Sequence, residues 1–393
     1  MAAKTMKKKK ENIEDYHGFE QGPIRPPSEA YSLLIRVTRN CPWNRCTFCP
    51  IYKKRRFSIR PIEHVFEDID TVAGHVDSLR KNVDSFGRIE RSKLSDLNKK
   101  IPDDEVQAFN AALNWFSGGM RSIFIQDANS LIVPPPDMIR ILRRLKHHFY
   151  WVERITSYAR SHTVARIKDE DLETMADAGL NRIHIGMESG ADSVLKMVKK
   201  GVTKATHIKA GLKVKKAGIQ LSEYVMPGLG GKKLSREHAL ETADALNQID
   251  PEFIRLRSLA IPNVVSLFDD WEAGRFEKLT DVETAEEILL FIESLEGIES
   301  EIKSDHVLNL FEEIEGKLPD DKDKMLEVIR QFLDMPPEMQ CIYQVGKRLG
   351  VFRRLDNMSS PARIKKVEQA CKKNNITPAN VDGVIDELMK RFI

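Results

Sequence analysis

The sequence predicts an α/β fold: a partial (β/α)6 barrel of parallel strands followed by an all-α C-terminal domain. Three observations carry this. Six short β-rich runs recur between residues 32 and 259, amphipathic helical stretches separate them, and β-like alternation stops beyond residue 260. Repeated strand, helix, strand order requires parallel strands with right-handed crossovers, in a barrel or an open sheet. Six units suggest the partial barrel, and periodicity alone leaves a doubly wound sheet open.

The six runs are "SLLIRVT" (32–38), "SIFIQDA" (122–128), "RITSYA" (154–159), "RIHIGME" (182–188), "QLSEYVM" (220–226) and "FIRLRSL" (253–259). Between them, "PIEHVFEDIDTVAGHVDSL" opens with proline at a first-turn position, and "PDMIRILRRLKHHF" follows a triple proline that ends whatever precedes it. "DEDLETMADAG" and "KAGLKVKKAG" each end in a glycine suited to a left-handed cap. The gap between the first two runs is far longer than a crossover helix needs. Residues 80–120, charged and containing "SFGRIERSKLSDLNKK", therefore read as an inserted helical excursion or lid. The barrel is expected over 31–262, with residues 1–30 as a basic, flexible tail and 263–393 as the helical domain. That domain is expected to hold six helices, among them "SDHVLNLFEEIEG", with Ser, Asp or Thr at starts and Gly or Asn at ends.

Composition narrows the class. With 62 basic and 59 acidic side chains, the formal charge of +3 gives no indication of nucleic acid, and the Lys7 to Lys10 run reads as a solvated terminus. No apolar run of membrane-spanning length exists, and no apolar stretch follows the lysines as a secretory signal would require. A cytoplasmic location is expected. Five cysteines in such a chain do not suggest a disulfide framework, and Cys341 and Cys371 read as isolated thiols.

The other three cysteines lie together in "CPWNRCTFCPIYK" (41–53), directly after the first strand. Thiolates so placed can converge on zinc or on an iron–sulfur cluster. A structural zinc site wants a fourth ligand at short spacing. None is nearby, because His64 and His75 belong to the following helix. A four-iron cluster held by Cys41, Cys46 and Cys49 alone leaves one iron open, which suits a site that binds substrate or cofactor better than a pure electron carrier.

A three-cysteine loop after the first strand of a six-unit partial barrel, with the aromatic Phe48 before its last cysteine, resembles the radical S-adenosylmethionine (radical SAM) superfamily. The family spacing is Cys-x3-Cys-x2-Cys, and this chain has one residue more in the first gap. "GMESG" followed by "ADSVLKMVKKGVT" is similar to the branch that includes coproporphyrinogen oxidase relatives and Elongator-type proteins, and the whole pattern resembles a group without an assigned reaction. The resemblance implies a [4Fe–4S] cluster on the three cysteines and S-adenosylmethionine chelated at the open iron. Reductive cleavage would then give methionine and a 5′-deoxyadenosyl radical that abstracts hydrogen from an unidentified substrate. It further implies cofactor contacts from Phe48, Glu188 and Ser189, from Gln126, Asp127 and Asn129 on strand two, from Ser157 and Arg160 at the end of strand three, and from Arg257 on strand six. Tyr52 and His306, the latter in the "SDH" and "GKLPDDK" segment that recurs in the group, are the candidates for catalytic residues. Expected partners are a small-molecule or peptide substrate and a low-potential electron donor of flavodoxin or ferredoxin type. Cobalamin is not implied. The readings from other classes are a zinc- or cluster-binding scaffold without catalysis and a haem-pathway binding protein.

Overall fold

The computed structural model describes residues 15–389. The Lys7 to Lys10 run lies outside them. Among the described residues, no helix is long and apolar enough to cross a membrane.

Six parallel strands run in chain order: β1 (Leu33–Arg36), β2 (Ser122–Gln126), β3 (Arg154–Ala159), β4 (Leu180–Glu188), β5 (Gln220–Val225) and β6 (Phe253–Leu256). Each pairs with the next, and helices cross between them on the outside. The chief crossovers are α1 (Ile62–Arg80), α2 (Val106–Ser117), α3 (Pro135–His148), α4 (Asp169–Asp177), α5 (Lys204–Lys216) and α6 (Gly231–Ile249). Outward residues such as Ile123, Ile125, Ile183, Ile185 and Leu221 are fully buried against these helices, which makes one continuous apolar core between sheet and helix layer. The inward positions are polar or aromatic.

Four expectations need correction. The C-terminal segment is not wholly helical, because β7 (Glu301–Lys303) adds a seventh parallel strand beside β6 and β8 (Gly316–Lys317) closes the sheet edge antiparallel to it. A three-residue strand with only Ile302 buried carries no alternation to read, and its partner strand supplies the preference. The stretch "SDHVLNLFEEIEG" is not a helix. Asn309 donates to the Leu256 carbonyl and to Ser304 Oγ (each 2.9 Å) and accepts from the Ser258 amide, and these bonds tie the segment across the end of β6. The helices that do follow include α7 (Asp281–Glu293) with its Thr280 capping box, which packs on α6 and on α8 (Lys322–Leu333), and α9 (Pro337–Arg348), whose Tyr343 and Arg348 donate to the Leu310 and Leu308 carbonyls.

Residues 15–30 are packed against the barrel rather than forming a tail. Phe19 is buried, and Glu20 forms ion pairs with Arg36, Arg39 and Arg60. Gln126 binds Gly22 and Ile24, and at the far end of the barrel Glu29 sits fully buried beside Ser32, Arg154 and His184. Composition concealed this, since the segment's contribution is a few side chains and not a stripe.

The 80–120 insertion is a helical excursion, one of the two readings, and not a lid. Its helix α2 lies alongside α1, and Trp115 donates to the Ser122 carbonyl at the start of β2, away from the strand ends where the cysteines sit. The short helix Arg91–Asn98 buries none of its residues.

Glu223 on β5 is fully buried on the helix side, and neither carboxylate oxygen has a hydrogen-bond partner. Burial, then the nearby Glu188 charge, raises its pKa well above the ordinary carboxylate value. A group held protonated in the fold stabilises fully only below its unfolded pKa, and that stability is lost as pH rises toward the folded value. Glu223→Gln is therefore expected to raise the melting temperature at pH 8 and to change it little at pH 4. Equal effects at both pH values in thermal unfolding would contradict this protonation state.

Candidate functional site

The site is built at the carboxyl ends of the strands, where parallel α/β folds bind ligands. The cysteine loop leaves β1 through a short hairpin, Thr38–Arg39 paired with Ser58–Ile59, and is held from three sides. Thr47 donates to the Val198 carbonyl and accepts from the Leu267 amide, both at 3.0 Å. Trp43 Nε1 donates to the Lys199 carbonyl at 2.7 Å. Gly201 is needed beside that ring, because a Cβ there would lie 2.3 Å from it. Phe48 is buried in a small second core with Val194, Val198, Met226 and Leu259, so it anchors the loop.

Within this frame Cys41, Cys46 and Cys49 are free thiols of intermediate exposure. Among the described residues, no three His, Cys, Asp or Glu side chains are gathered closely enough to hold one metal ion, the three loop cysteines included. Burial pushes the Cys46 and Cys49 thiols up, with Lys200 pulling both down and Cys41 opposing it. Lys200 was not singled out in the sequence, yet it stands at the centre of the site. Its Nζ lies 2.9 Å from Glu188 Oε1 and 5.8 Å from the Phe48 ring centre, and its carbonyl accepts from Arg160 Nη2 at 2.6 Å. Only the "VKKG" lysine pair, which ends twelve residues after Glu188, hinted at it.

Glu188 ends β4 with φ of +65°, where the register with β5 slips by one residue. That twist swings the carboxylate back over Gly186, and a Cβ at position 186 would lie 2.4 Å from Glu188 Oε1. The Glu188 and Lys200 side chains are 14% and 12% exposed, so the pair is open to the mouth through a narrow gap.

The other expected cofactor contacts are engaged elsewhere. Asp127, fully buried, accepts from the Tyr52 hydroxyl (2.6 Å), Arg36 Nε (2.9 Å) and the Asn40 amide (2.9 Å). Gln126 is spent on Gly22 and Ile24, and Asn129 on Thr163 Oγ1 and the Arg160 amide. Ser157 shares the helix-facing side of β3 with Ile155 and Ala159, and its hydroxyl turns to the Tyr158 carbonyl. Ser189 is buried against His238 Nδ1 (2.8 Å) and the Ala191 amide. Arg160 reaches the site, but through Lys200 and through its stack on Trp43, 5.1 Å from the ring centre. Strand alternation could not show which inward groups were already satisfied.

Tyr52 is 2% exposed, and its hydroxyl is committed to Asp127, so it fixes the loop to β1 and β2. Tyr52→Phe is expected to cost about 1.5 to 3 kcal/mol of stability, the worth of a hydrogen bond to a charged group, while each folded molecule keeps its cluster. Loss of cluster at unchanged stability would return Tyr52 to a direct role.

Below the mouth the barrel interior is aromatic. His184 packs 5.6 Å from Tyr158 and 5.7 Å from Tyr224, with Phe124 on the other side. At the β6 end Arg257 is exposed, and its charge bears on both Tyr158 and His306. Burial, then Arg257, pulls His306 down to about 4, so the imidazole is neutral at pH 7. His306 Nδ1 accepts from the Leu308 amide at 3.3 Å.

Over 277 residues the chain is 22% identical to the tRNA uridine(34) acetyltransferase of Methanocaldococcus infernus, a match that covers 68% of this chain and 50% of the relative. The chain thus spans half the length of that curated relative. Among solved structures, the Escherichia coli coproporphyrinogen III oxidase HemN, described as a radical SAM enzyme, is similar at 12% identity and TM-score 0.44, covering 67% of this chain and 52% of HemN. The Methanocaldococcus infernus Elp3 is similar at 16% identity and TM-score 0.40, covering 51% and 53% of the two chains. The sequence model of the Radical SAM superfamily matches residues 35–246 of the 393, from β1 through the cysteine loop to α6. On that match the chain belongs to the radical SAM superfamily, enzymes that work with a [4Fe–4S] cluster and S-adenosylmethionine.

Proposed function

We propose that Cys41, Cys46 and Cys49 hold the cluster, that Glu188 and Lys200 receive the cofactor beside it, and that the substrate enters the aromatic interior below. The observation that carries this reading is that the loop with three free thiols lies beside one half-buried acid–base pair at the strand ends. The donor set fits the group: soft thiolates, three rather than four, with compensating cations at Lys200 and Arg160. When bound, the cluster and cofactor supply a one-electron reduction that yields methionine and a 5′-deoxyadenosyl radical.

The chain's own residues do the rest. Lys200 and Arg160 offset the negative charge of the thiolates, and Lys200 holds the Glu188 carboxylate toward the opening. Glu188 is the acceptor we assign to the cofactor's ammonium group. Tyr158, Tyr224 and His184 pack ring against ring inside the barrel, an apolar floor beneath the strand ends against which we place the substrate's C–H bond. We keep His306 as the catalytic candidate: a neutral imidazole next to Arg257 can accept or donate a hydrogen bond to substrate.

The test is anaerobic reconstitution with iron and sulfide, chemical reduction, and assay for 5′-deoxyadenosine with S-adenosylmethionine. Cofactor-dependent release is the expected result. A protein that takes up about one zinc per chain and no cluster would overturn the reading. Because the curated relative acts on tRNA, an RNA substrate is the second reading, and adding bulk tRNA to the same assay distinguishes it by increased turnover.

A further inference from the structure

We infer that the β6 corner of the mouth, formed by Arg257, His306 and the Tyr224 hydroxyl, receives a carboxylate carried by the substrate. The inference rests on the proposed function and names the class of substrate that site takes. The sequence resemblance placed Arg257 among the cofactor contacts, and its surroundings favour the substrate instead.

Three donors there lack an acceptor. The first is Arg257. Its amide extends β6 by donating to the Val225 carbonyl at 3.0 Å, and it follows Arg255 by two residues, so the two arginines share the inward face of the sheet. Arg255 is neutralised: its Nη1 binds Asp305 Oδ2 at 2.6 Å, and its Nε donates to Ser222 Oγ at 3.2 Å. Among the described residues, the exposed Arg257 side chain has neither an ion pair nor a hydrogen bond. The second donor is His306. Asn309 holds it to this strand end, because its side chain bonds the Leu256 carbonyl and the Ser258 amide on either side of Arg257, and its own amide donates to the His306 carbonyl, each at 2.9 Å. The Leu308 amide donates to His306 Nδ1, so the neutral ring carries its proton on Nε2, which makes no hydrogen bond within the described residues. The third is Tyr224, which stands opposite Arg255 in the ladder and whose hydroxyl is buried without a hydrogen-bond partner. A buried hydroxyl left so is unfavourable until a ligand or water meets it.

The charge of the corner selects the ligand. Arg255 and Asp305 cancel and His306 is neutral at pH 7, which leaves the single positive charge of Arg257 beside two neutral donors. A carboxylate spreads one negative charge over two coplanar oxygens and so matches a guanidinium fork with neutral donors around it. A phosphate monoester carries more charge than one cation answers. Position selects the substrate over the cofactor. Glu188 and Lys200, assigned to the cofactor, stand beside the cysteine loop, and β6 lies two strands from β4, about 10 Å away at ordinary strand spacing. Tyr158 lies between the two groups, since the charges of both Glu188 and Arg257 act on its hydroxyl. A substrate anchored by its carboxylate at Arg257 would lay its neighbouring carbons across the ring floor toward the cofactor.

The test uses the reconstituted full chain with S-adenosylmethionine bound and no reductant, so that nothing turns over. Saturation-transfer NMR reads the binding of benzoate, benzamide and phenyl phosphate, three probes that share a ring and differ in the group they present. Benzoate is expected to bind most tightly. Arg257→Gln is expected to weaken benzoate about tenfold or more, the lower end of the worth of a hydrogen bond to a charged group, with benzamide and S-adenosylmethionine affinities unchanged. The Arg257 side chain is exposed and bonds to nothing, so its loss leaves no buried partner unpaired and the fold is kept. His306→Phe is expected to weaken benzoate too, and His306→Gln, whose amide still donates, to retain most of the affinity; a role in packing alone would favour the ring. Absence of benzoate binding to the parent chain at millimolar concentration, or equal affinities in the parent and Arg257→Gln, overturns the inference. So does tighter binding of phenyl phosphate than of benzoate, which makes the corner a phosphate site. A parallel loss of S-adenosylmethionine affinity overturns it as well, because Arg257 then serves the cofactor. The functional reading fails separately: no 5′-deoxyadenosine from the reduced parent chain, with Arg257-dependent benzoate binding intact, defeats that reading and leaves the corner as a carboxylate site.

Discussion

Replacing Cys41, Cys46 or Cys49 singly by alanine is expected to reduce bound iron from about four atoms per chain to near zero, with the melting temperature shifted by only a few degrees. The expectation has two halves with different causes. Three thiolates are the whole protein ligand set, so losing one leaves two irons without protein ligands and the cluster open to solvent. The fold, by contrast, does not depend on the sulfur atoms. The loop is fixed by Thr47 between Val198 and Leu267, by Trp43 on Lys199, by Phe48 in its small core and by Tyr52 on Asp127. Each cysteine side chain is partly exposed and contributes little buried area, so truncation at any of them removes little packing. Iron and sulfide analysis after reconstitution, beside thermal unfolding of the same preparations, checks both halves. Cys341→Ala serves as the control. That thiol is buried among the C-terminal helices, so its loss is expected to lower stability and leave iron content unchanged. Full iron content in any of the three loop variants would remove that residue from the ligand set.

Much of the fold was legible because its signals are local and repeated. The first six of the seven parallel strands fall where β-rich runs stand, and the crossover helices follow their apolar stripes. The cysteine loop was legible because cysteine is scarce and three stand within nine residues. What stayed hidden depends on the third dimension. Glu29 and Glu20 lie in a stretch with no periodic pattern, yet one closes the barrel floor and the other ties together three arginines. Asp127, Gln126 and Asn129 have the residue types of cofactor ligands, but their atoms are already bonded to Tyr52, Gly22, Ile24 and Thr163. Ser157 and Tyr158 show the limit of alternation most clearly. The period of two tells that they face opposite sides of β3, and only the helices packed against Ile155 and Ala159 tell which side is which. Lys200 was missed for another reason: a lysine beside a lysine reads as solvated surface unless a partner such as Glu188 is brought to it across a turn.

The Glu188 and Lys200 pair gives the second large effect, and it separates binding from stability. Glu188→Gln keeps the shape of the side chain and removes its charge. Lys200 Nζ, with little exposure, then keeps its proton without its nearest counter-charge, and breaking one side of such a pair typically costs about 3 to 5 kcal/mol. The solvent gap at the mouth places this pair toward the lower end of that range. S-adenosylmethionine affinity is expected to fall at least tenfold, because the acceptor assigned to its ammonium group is now neutral. The double variant Glu188→Gln with Lys200→Met distinguishes the two effects. Removing the stranded ammonium restores much of the lost stability, since a neutral pair no longer carries an uncompensated buried charge. It does not restore affinity, since no carboxylate is returned to the mouth. Calorimetric binding to the reconstituted protein and chemical unfolding of the same variants read the two quantities independently. If the double variant regains affinity along with stability, Glu188 acts only by balancing Lys200, and the acceptor for the cofactor lies elsewhere on the strand ends. If stability recovers alone, the carboxylate itself is the binding group, and the left-handed turn that folds it back over Gly186 is the feature of β4 that makes the site.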